Sequence, residues 1–332
     1  MPYADNSGGS ARSTLAGGLD TATIERDATL LNVQAPVDAG TRAVTVAPAS
    51  RPVDASQPLA AFTVDVEDWY QSSVDFDAPI TDRVVGNVEK ILALLDECAV
   101  KGTFFVQGRV AEAFPAMVQG LVAEGHEVQS HGYSHRPLFE MSEREVRDEL
   151  LRARDSVQDA AGVPVDSFRA QDFSIGSENL WALDVVADVG FKVDSSIFPM
   201  RMSRYGIPGW EVAPHYVTLS SGARLLEVPV AIWTVGRWRL PVAGGGYFRV
   251  LPRVLVERAV CGIVGDGRPA IVYCHPYEFN ATELDGYSGE ISRRRRMSQN
   301  LGRGSFADRV RHLFDRIRFG RLDAVLEAWA LR

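Results

Sequence analysis

Three cysteines in 332 residues (Cys98, Cys261 and Cys274) are too few and too scattered for a disulfide framework or a thiolate metal site. Cys274 instead reads as a small buried residue on a strand. No stretch approaches the roughly 18 consecutive apolar residues that a membrane span needs. A basic segment followed by an apolar one is also missing at the N-terminus, so no secretory leader is visible and the cytoplasm is the simplest expectation. Positive charge is in the minority. With 35 Lys and Arg against 43 Asp and Glu the net charge is −8, and the pI is near 5.4. That balance offers no whole-protein attraction for nucleic acid or an anionic membrane. Gly244-Gly245-Gly246-Tyr247-Phe248 lacks the context of a phosphate loop and reads as a flexible turn, a candidate cleft wall.

What is present is an alternation of strands and helices beginning near Leu59. Residues 1–57, rich in Ala, Gly, Ser, Thr, Pro and Asp without a sustained period, read as a disordered tail. Strands are expected at Leu59–Val64, Gly102–Val106, Glu127–Ser130, Asp166–Arg169, Phe191–Val193, Leu225–Val230 and Ala270–Tyr273. Between them, 3.6-residue periodicity or caps predict helices over Asp82–Val100, Pro115–Glu124, a span from Ser142 to Gly162, Asn179–Val189 and Pro252–Val264. Ser142 with Glu145 forms a capping box at the start of the third of these. Repeated β-then-α units imply an α/β fold with a mainly parallel sheet, either barrel or open. From Ser292 to Arg332 eleven arginines face four acids, which reads as a solvated helical extension; binding of an anionic glycan or lipid carrier is the minority reading.

Six histidines occur in the chain, and two of them, His131 and His135, lie four residues apart around Gly132. Upstream, Phe-Thr-Val-Asp-Val-Glu-Asp-Trp (62–69) closes an apolar run with three carboxylates, Asp65, Glu67 and Asp68. Two imidazoles, a carboxylate and an open position for water make the ligand set of a hydrolytic metal site. Asp65, His131, Arg169 and His275 each fall at the C-terminal end of a different expected strand. In a (β/α) barrel those ends share the face that carries the chemistry. There Asp65 can serve as a general base, Arg169 can hold it ionised, and His275 can protonate a leaving amine. Taken singly, each has a blander role as a helix cap, a surface ion pair or a structural histidine. An acidic motif holding a metal–nucleotide complex, as in a glycosyltransferase, is disfavoured by the histidine pair and by the missing phosphate loop.

In this order the motifs resemble the polysaccharide deacetylases of carbohydrate esterase family 4, the chitooligosaccharide deacetylase homology domain. Thr63-Val64-Asp65-Val66-Glu67-Asp68 resembles the first motif and His131-Gly-Tyr-Ser-His135 the two-histidine motif. Phe168-Arg169-Ala170-Gln171-Asp172-Phe173 resembles the arginine motif, and Val272-Tyr273-Cys274-His275 the last histidine motif. The Asp-Val-Glu-Asp-Trp form, residues 244–249, His-Pro-Tyr-Glu-Phe (275–279) and the arginine-rich C-terminus are similar to a subgroup found with exosortase-linked exopolysaccharide gene clusters. The first motif departs from the family's adjacent aspartates, and Gln171 stands where proline is usual, with Asp172 beside it.

The resemblance implies a distorted (β/α) barrel that removes N-acetyl groups from an N-acetylated glycan. A catalytic domain over 58–280 would carry the extension 281–332 packed on it. A divalent metal would be held by His131, His135 and Asp68, with Glu67 as the alternative to Asp68. Zinc is the expected ion, with cobalt or nickel as substitutes. Asp65 would be the base, Arg169 its partner and His275 the acid, with a backbone N–H near Asp172 for the oxyanion. Trp69, Tyr133 and Phe173 are candidate sugar contacts. The alternatives are hydrolysis of another non-peptide C–N bond, such as a cyclic amide or formamide, and an inactive glycan-binding homologue.

Overall fold

The structure, a computed structural model, describes residues 59–287 and 291–329; the expected N-terminal tail lies outside them. The strands are β1 (Ala60–Val66), β2 (Thr103–Val106), β3 (Glu127–Ser130), β4 (Ser167–Phe168), β5 (Val193–Asp194), β6 (His215–Thr218), β7 (Arg224–Glu227), β8 (Ile232–Val235), β9 (Trp238–Pro241), β10 (Ala270–Cys274) and β11 (Phe319–Gly320). Helices α1 (Trp69–Ser73), α2 (Arg83–Glu97), α3 (Gly108–Ala113), α4 (Pro115–Ala123), α5 (Glu143–Ala161), α6 (Ala182–Val189), α7 (Gly246–Val250) and α8 (Arg253–Gly265) precede β10. Three more, α9 (Arg293–Asn300), α10 (Phe306–Phe314) and α11 (Leu322–Ala328), complete the described chain.

The main sheet runs β10-β1-β2-β3-β4-β5-β7-β6, parallel except for β6 against β7, and β11 adds to β1. It curls towards closure. Past β7 the Ala231 N–H donates to Ile271 O of β10, and Gly244 forms a parallel bridge with Tyr273. The result is a distorted α/β barrel.

Side chains on a strand alternate between faces, so one phase of each strand looks inward. Ala61, Phe105, Val193, Leu226, Val228 and Ile271 form the inner apolar cluster. Asp65 continues the phase of Ala61, and His275 continues that of Ile271. The other phase of β1 (Ala60, Phe62, Val64 and Val66) packs under the helices with Val84, Val88, Ile91 and Leu95 of α2. The capping box at Ser142 and Glu145 is formed, and Gly162 ends α5 in the left-handed conformation.

The sequence reading missed the antiparallel partner β6, the β8–β9 hairpin and β11. These strands are only two to four residues long, too short for a period to be visible.

The N-terminal end of the barrel is plugged by α11. Leu322, Val325 and Leu326 are buried against the inner cluster, and the N–H groups of Leu322 and Asp323 bond Thr103 Oγ1 (2.7 Å) and Glu127 Oε2 (3.1 Å). Burying each apolar side chain contributes about 1.5–3 kcal/mol. Leu326→Ala is therefore expected to cost about 2–5 kcal/mol in urea unfolding. Met297→Ala, at a side chain 76% exposed, is the control and should stay within about 0.5 kcal/mol.

Candidate active site

Asp65 is the penultimate residue of β1, with Glu67 and Asp68 immediately beyond the strand; His131, Arg169 and His275 directly follow β3, β4 and β10. All four strand-end residues picked from the sequence are thus brought to one end of the barrel.

Arg169 is fully buried. Its Nη1 donates to Asp65 Oδ1 (2.8 Å) and Thr63 Oγ1 (2.7 Å), and its Nη2 donates to Ser195 Oγ (3.1 Å). The guanidinium also sits 4.2 Å from the centre of the Phe105 ring. Such a grip fixes the direction of the Asp65 carboxylate. Deeper still, Asp194 and Glu227 form a buried carboxyl pair. Burial raises both pKa values, Asp194 raises Glu227 further, and the Arg169 charge acts in the opposite direction on each.

Glu67, His131 and His135 offer three buried ligand atoms within 4.8 Å of one another. Glu67 Oε2 is 3.5 Å from His131 Nε2 and closer still to His135 Nε2. Donors around a tetrahedral ion with bonds of about 2.1 Å lie about 3.4 Å apart, so the triad has the right compass. Glu67 Oε2 and His135 Nδ1 are buried without a hydrogen-bond partner. The donor set, two nitrogens and one oxygen, suits a divalent transition metal. His131 Nδ1 lies 2.9 Å from Arg169 O, which makes it the donor and leaves Nε2 as a ligand lone pair. Burial works to raise the Glu67 pKa, but His135, His131 and His275 together hold it well below the usual range. The residues fit a metal.

Here the leaning to Asp68 is corrected. Asp68 is the N-cap of α1: Oδ1 accepts from Tyr70 N–H (2.9 Å) and Gln71 N–H (3.2 Å), and Oδ2 accepts from Thr81 N–H (2.9 Å) and the Thr81 hydroxyl. Both its oxygens are occupied by the turn, and Glu67 is the carboxylate that meets the histidines. Glu67 Oε1 accepts from Tyr277 Oη (3.0 Å) and Ser72 Oγ (3.1 Å), which fixes the other oxygen toward them. The available signal was an aspartate just before a short helical stretch, a strong N-cap residue type.

His275 Nε2 is 4.0 Å from Glu67 Oε1, and Nδ1 is 3.4 Å from Glu278 Oε2. Burial alone would push the imidazole down, but Glu278 and Glu67 hold its pKa up at about 9. The ring therefore carries a proton at neutral pH.

Gln171 is buried beneath the histidine loop. Its Nε2 donates to Arg136 O (2.5 Å), and its Oε1 lies so near Gly132 that a Cβ there would come within 2.2 Å. Gly132 also has φ +69°, so both backbone and space call for glycine. Asp172 has φ +53° and pairs with Arg204 (2.9 Å).

The proposed sugar contacts are placed differently from the expectation. Trp69 is buried, 5.6 Å from Tyr287, and Phe173 is buried between Phe198 and Tyr273. Neither offers a free face. Tyr133 is partly exposed, but its hydroxyl donates to Glu112 (2.8 Å) and Arg152 covers its ring at 3.8 Å.

Comparison with known families agrees with this geometry. The polysaccharide deacetylase model matches residues 67–193, which include Glu67, His131, His135 and Arg169. Over this stretch the chain is similar to polysaccharide deacetylases. Residues 195–327, which include His275, match DUF3473, a domain of unknown function. The chain is 34% identical over 122 residues to a chitooligosaccharide deacetylase of Sinorhizobium fredii, covering 36% of this chain and 54% of that protein. It is 38% identical over 73 residues to a peptidoglycan-N-acetylglucosamine deacetylase of Bacillus cereus, covering 22% and 26% respectively. The chain therefore spans about a quarter to about half the length of these curated relatives. Among solved structures, a candidate polysaccharide deacetylase from Mycobacterium smegmatis aligns with a TM-score of 0.57 at 20% identity, over 86% of this chain and 94% of its own. Puue allantoinase aligns with a TM-score of 0.58 at 14% identity, over 88% and 98%. Both share the fold.

Proposed function

We propose that this protein is a metal-dependent hydrolase that removes N-acetyl groups from an N-acetylated poly- or oligosaccharide. The observation that carries the reading is the convergence on one barrel end of three units: the Asp65–Arg169 pair, the Glu67/His131/His135 triad, and His275 within 4.0 Å of that triad. A divalent ion held by Glu67, His131 and His135, zinc in our reading, supplies Lewis acidity towards the acetamide carbonyl and lowers the pKa of water. Asp65, gripped at Oδ1 by Arg169, takes the proton of the attacking water. His275 returns a proton to the nitrogen as the C–N bond breaks, giving an amino sugar and acetate. The relatives named as chitooligosaccharide and peptidoglycan deacetylases support the substrate class. The motifs at 65–69, 244–249 and 275–279 lead us to place the reaction in exopolysaccharide biosynthesis. We also read residues 281–332 as an extension of the catalytic unit, since β11 pairs with β1 and α11 closes the barrel.

The test is acetate release from N-acetylglucosamine oligomers by purified protein. Release is expected to vanish with a chelator, to return with added zinc, and to be absent in His131→Ala. Metal-independent release would sink the mechanism. Hydrolysis of small cyclic amides in place of the oligomers would move the activity to another C–N bond.

A further inference from the structure

The Gly244-Gly245-Gly246-Tyr247-Phe248-Arg249 segment has no part in the chemistry so far. Gly244, at φ +154°, lies so close to β10 that a Cβ would come within 1.6 Å of Tyr273 O. Gly245 follows at φ +55° and ψ −130°, a conformation that L side chains avoid. The two glycines thus lay the chain against the end of β10, two residues before His275, and start α7 there. Arg249 on α7 reaches Glu278, with Nε 3.0 Å from Oε1, as an ion pair rather than a directed hydrogen bond. Glu278 is 1% exposed, and a carboxylate so buried is tolerated only with such compensation.

The turn at Pro276–Phe279 folds Glu278 back under His275. Its Oε2 accepts the His275 N–H (3.0 Å) and lies 3.4 Å from Nδ1. The Tyr277 ring is stacked on the imidazole, 4.9 Å away and tilted by 6°. With the ring plane set by Tyr277 and Nδ1–H committed to Glu278, Nε2 is the nitrogen left towards Glu67 and the cleft.

We infer that Glu278, locked by Arg249, is the positioning residue that fixes the tautomer and direction of His275 for proton delivery from Nε2. This role rests on the deacetylase reading. In the step, the C–N electron pair stays on the departing nitrogen, the Nε2 proton moves to it, and His275 is left neutral with Nδ1–H on Glu278. The domain of unknown function, residues 195–327, then supplies both the acid and the two residues that aim it.

The test compares two substrates. An acetamide needs a proton on its leaving nitrogen, whereas an activated aryl acetate leaves as phenolate without one. Glu278→Gln is expected to lower kcat on the N-acetylglucosamine oligomer on the order of 10–100-fold at unchanged KM. On the aryl acetate the same variant should lose less than about threefold, because little general-acid help is needed there. Arg249→Lys should retain more amide activity than Arg249→Met. Equal losses on both substrates, or no loss on the amide, would overturn the assignment. If the wild-type protein cleaves no acetamide, the deacetylase reading fails on its own, and the His275 tautomer read by 15N NMR decides the positioning role. Read above about pH 9, where the ring is neutral, a single Nδ1–H form in the wild type that becomes mixed in Glu278→Gln supports it, and a mixed wild type refutes it.

Discussion

Glu67→Gln is expected to strip the protein of bound divalent metal and of deacetylase activity together, while Asp68→Ala keeps the metal and loses stability. The two residues are adjacent in sequence and opposite in use. Glu67 places Oε2 between two imidazoles, and glutamine would offer at best a neutral oxygen there. Loss of a direct ligand should exceed the roughly 10–100-fold drop in affinity seen when an outer-shell partner is removed. Asp68 instead accepts hydrogen bonds from Tyr70, Gln71 and Thr81, so alanine removes an N-cap and the clamp on Thr81. That loss should cost roughly 2–4 kcal/mol. Metal content per folded protein, measured with a thermal melt of each variant, checks both halves. Metal retained in Glu67→Gln and absent from Asp68→Ala would return Asp68 to the ligand set.

Arg169→Met should be the most damaging substitution in the barrel interior. It removes three hydrogen bonds, to Asp65, Thr63 and Ser195, and the charge that acts on Asp194 and Glu227. Breaking a buried ion pair from one side costs about 3–5 kcal/mol. Arg169→Lys should recover only part of this, since an ammonium cannot reproduce the planar fork.

The pH dependence has a definite sign. Asp194 and Glu227 have folded pKa values above their unfolded ones, so the fold binds more protons than the unfolded chain in that window. Their contribution to stability is therefore greatest in acid and is lost as pH rises through the folded values. Without Arg169 both are raised further. The deficit of Arg169→Met should be largest at neutral pH and shrink as pH falls towards about 4, where unfolded carboxylates also protonate. Urea unfolding across that range tests it; a deficit independent of pH would mean that the loss is packing alone.

Much of the site could be read along the chain because a strand has a period of two and a barrel has one reactive end. Those two facts placed Asp65, His131, Arg169 and His275 together before any contact was known. The spacing of His131 and His135 around Gly132 pointed to paired ligands for the same local reason, a loop that needs a left-handed glycine. Helix ends were also local: Ser142 with Glu145, and Gly162, act within a few residues of themselves.

Three other outcomes were not local. Glu67 and Asp68 both follow β1, and what separates them is Thr81, thirteen residues on, which closes the cap around Asp68. Trp69 and Phe173 looked like faces for a sugar until Tyr287, Phe198 and Tyr273 covered them. Arg249 meets Glu278 only because Gly244 and Gly245 let two backbones approach across 29 positions. The sequence by itself determined which residue types stand at the strand ends and which way they face, because alternation and capping are set by immediate neighbours. Only the tertiary structure decided which carboxylate meets the histidines and what holds His275, because a hydrogen bond is a contest among all groups within reach, and reach is a property of the folded chain.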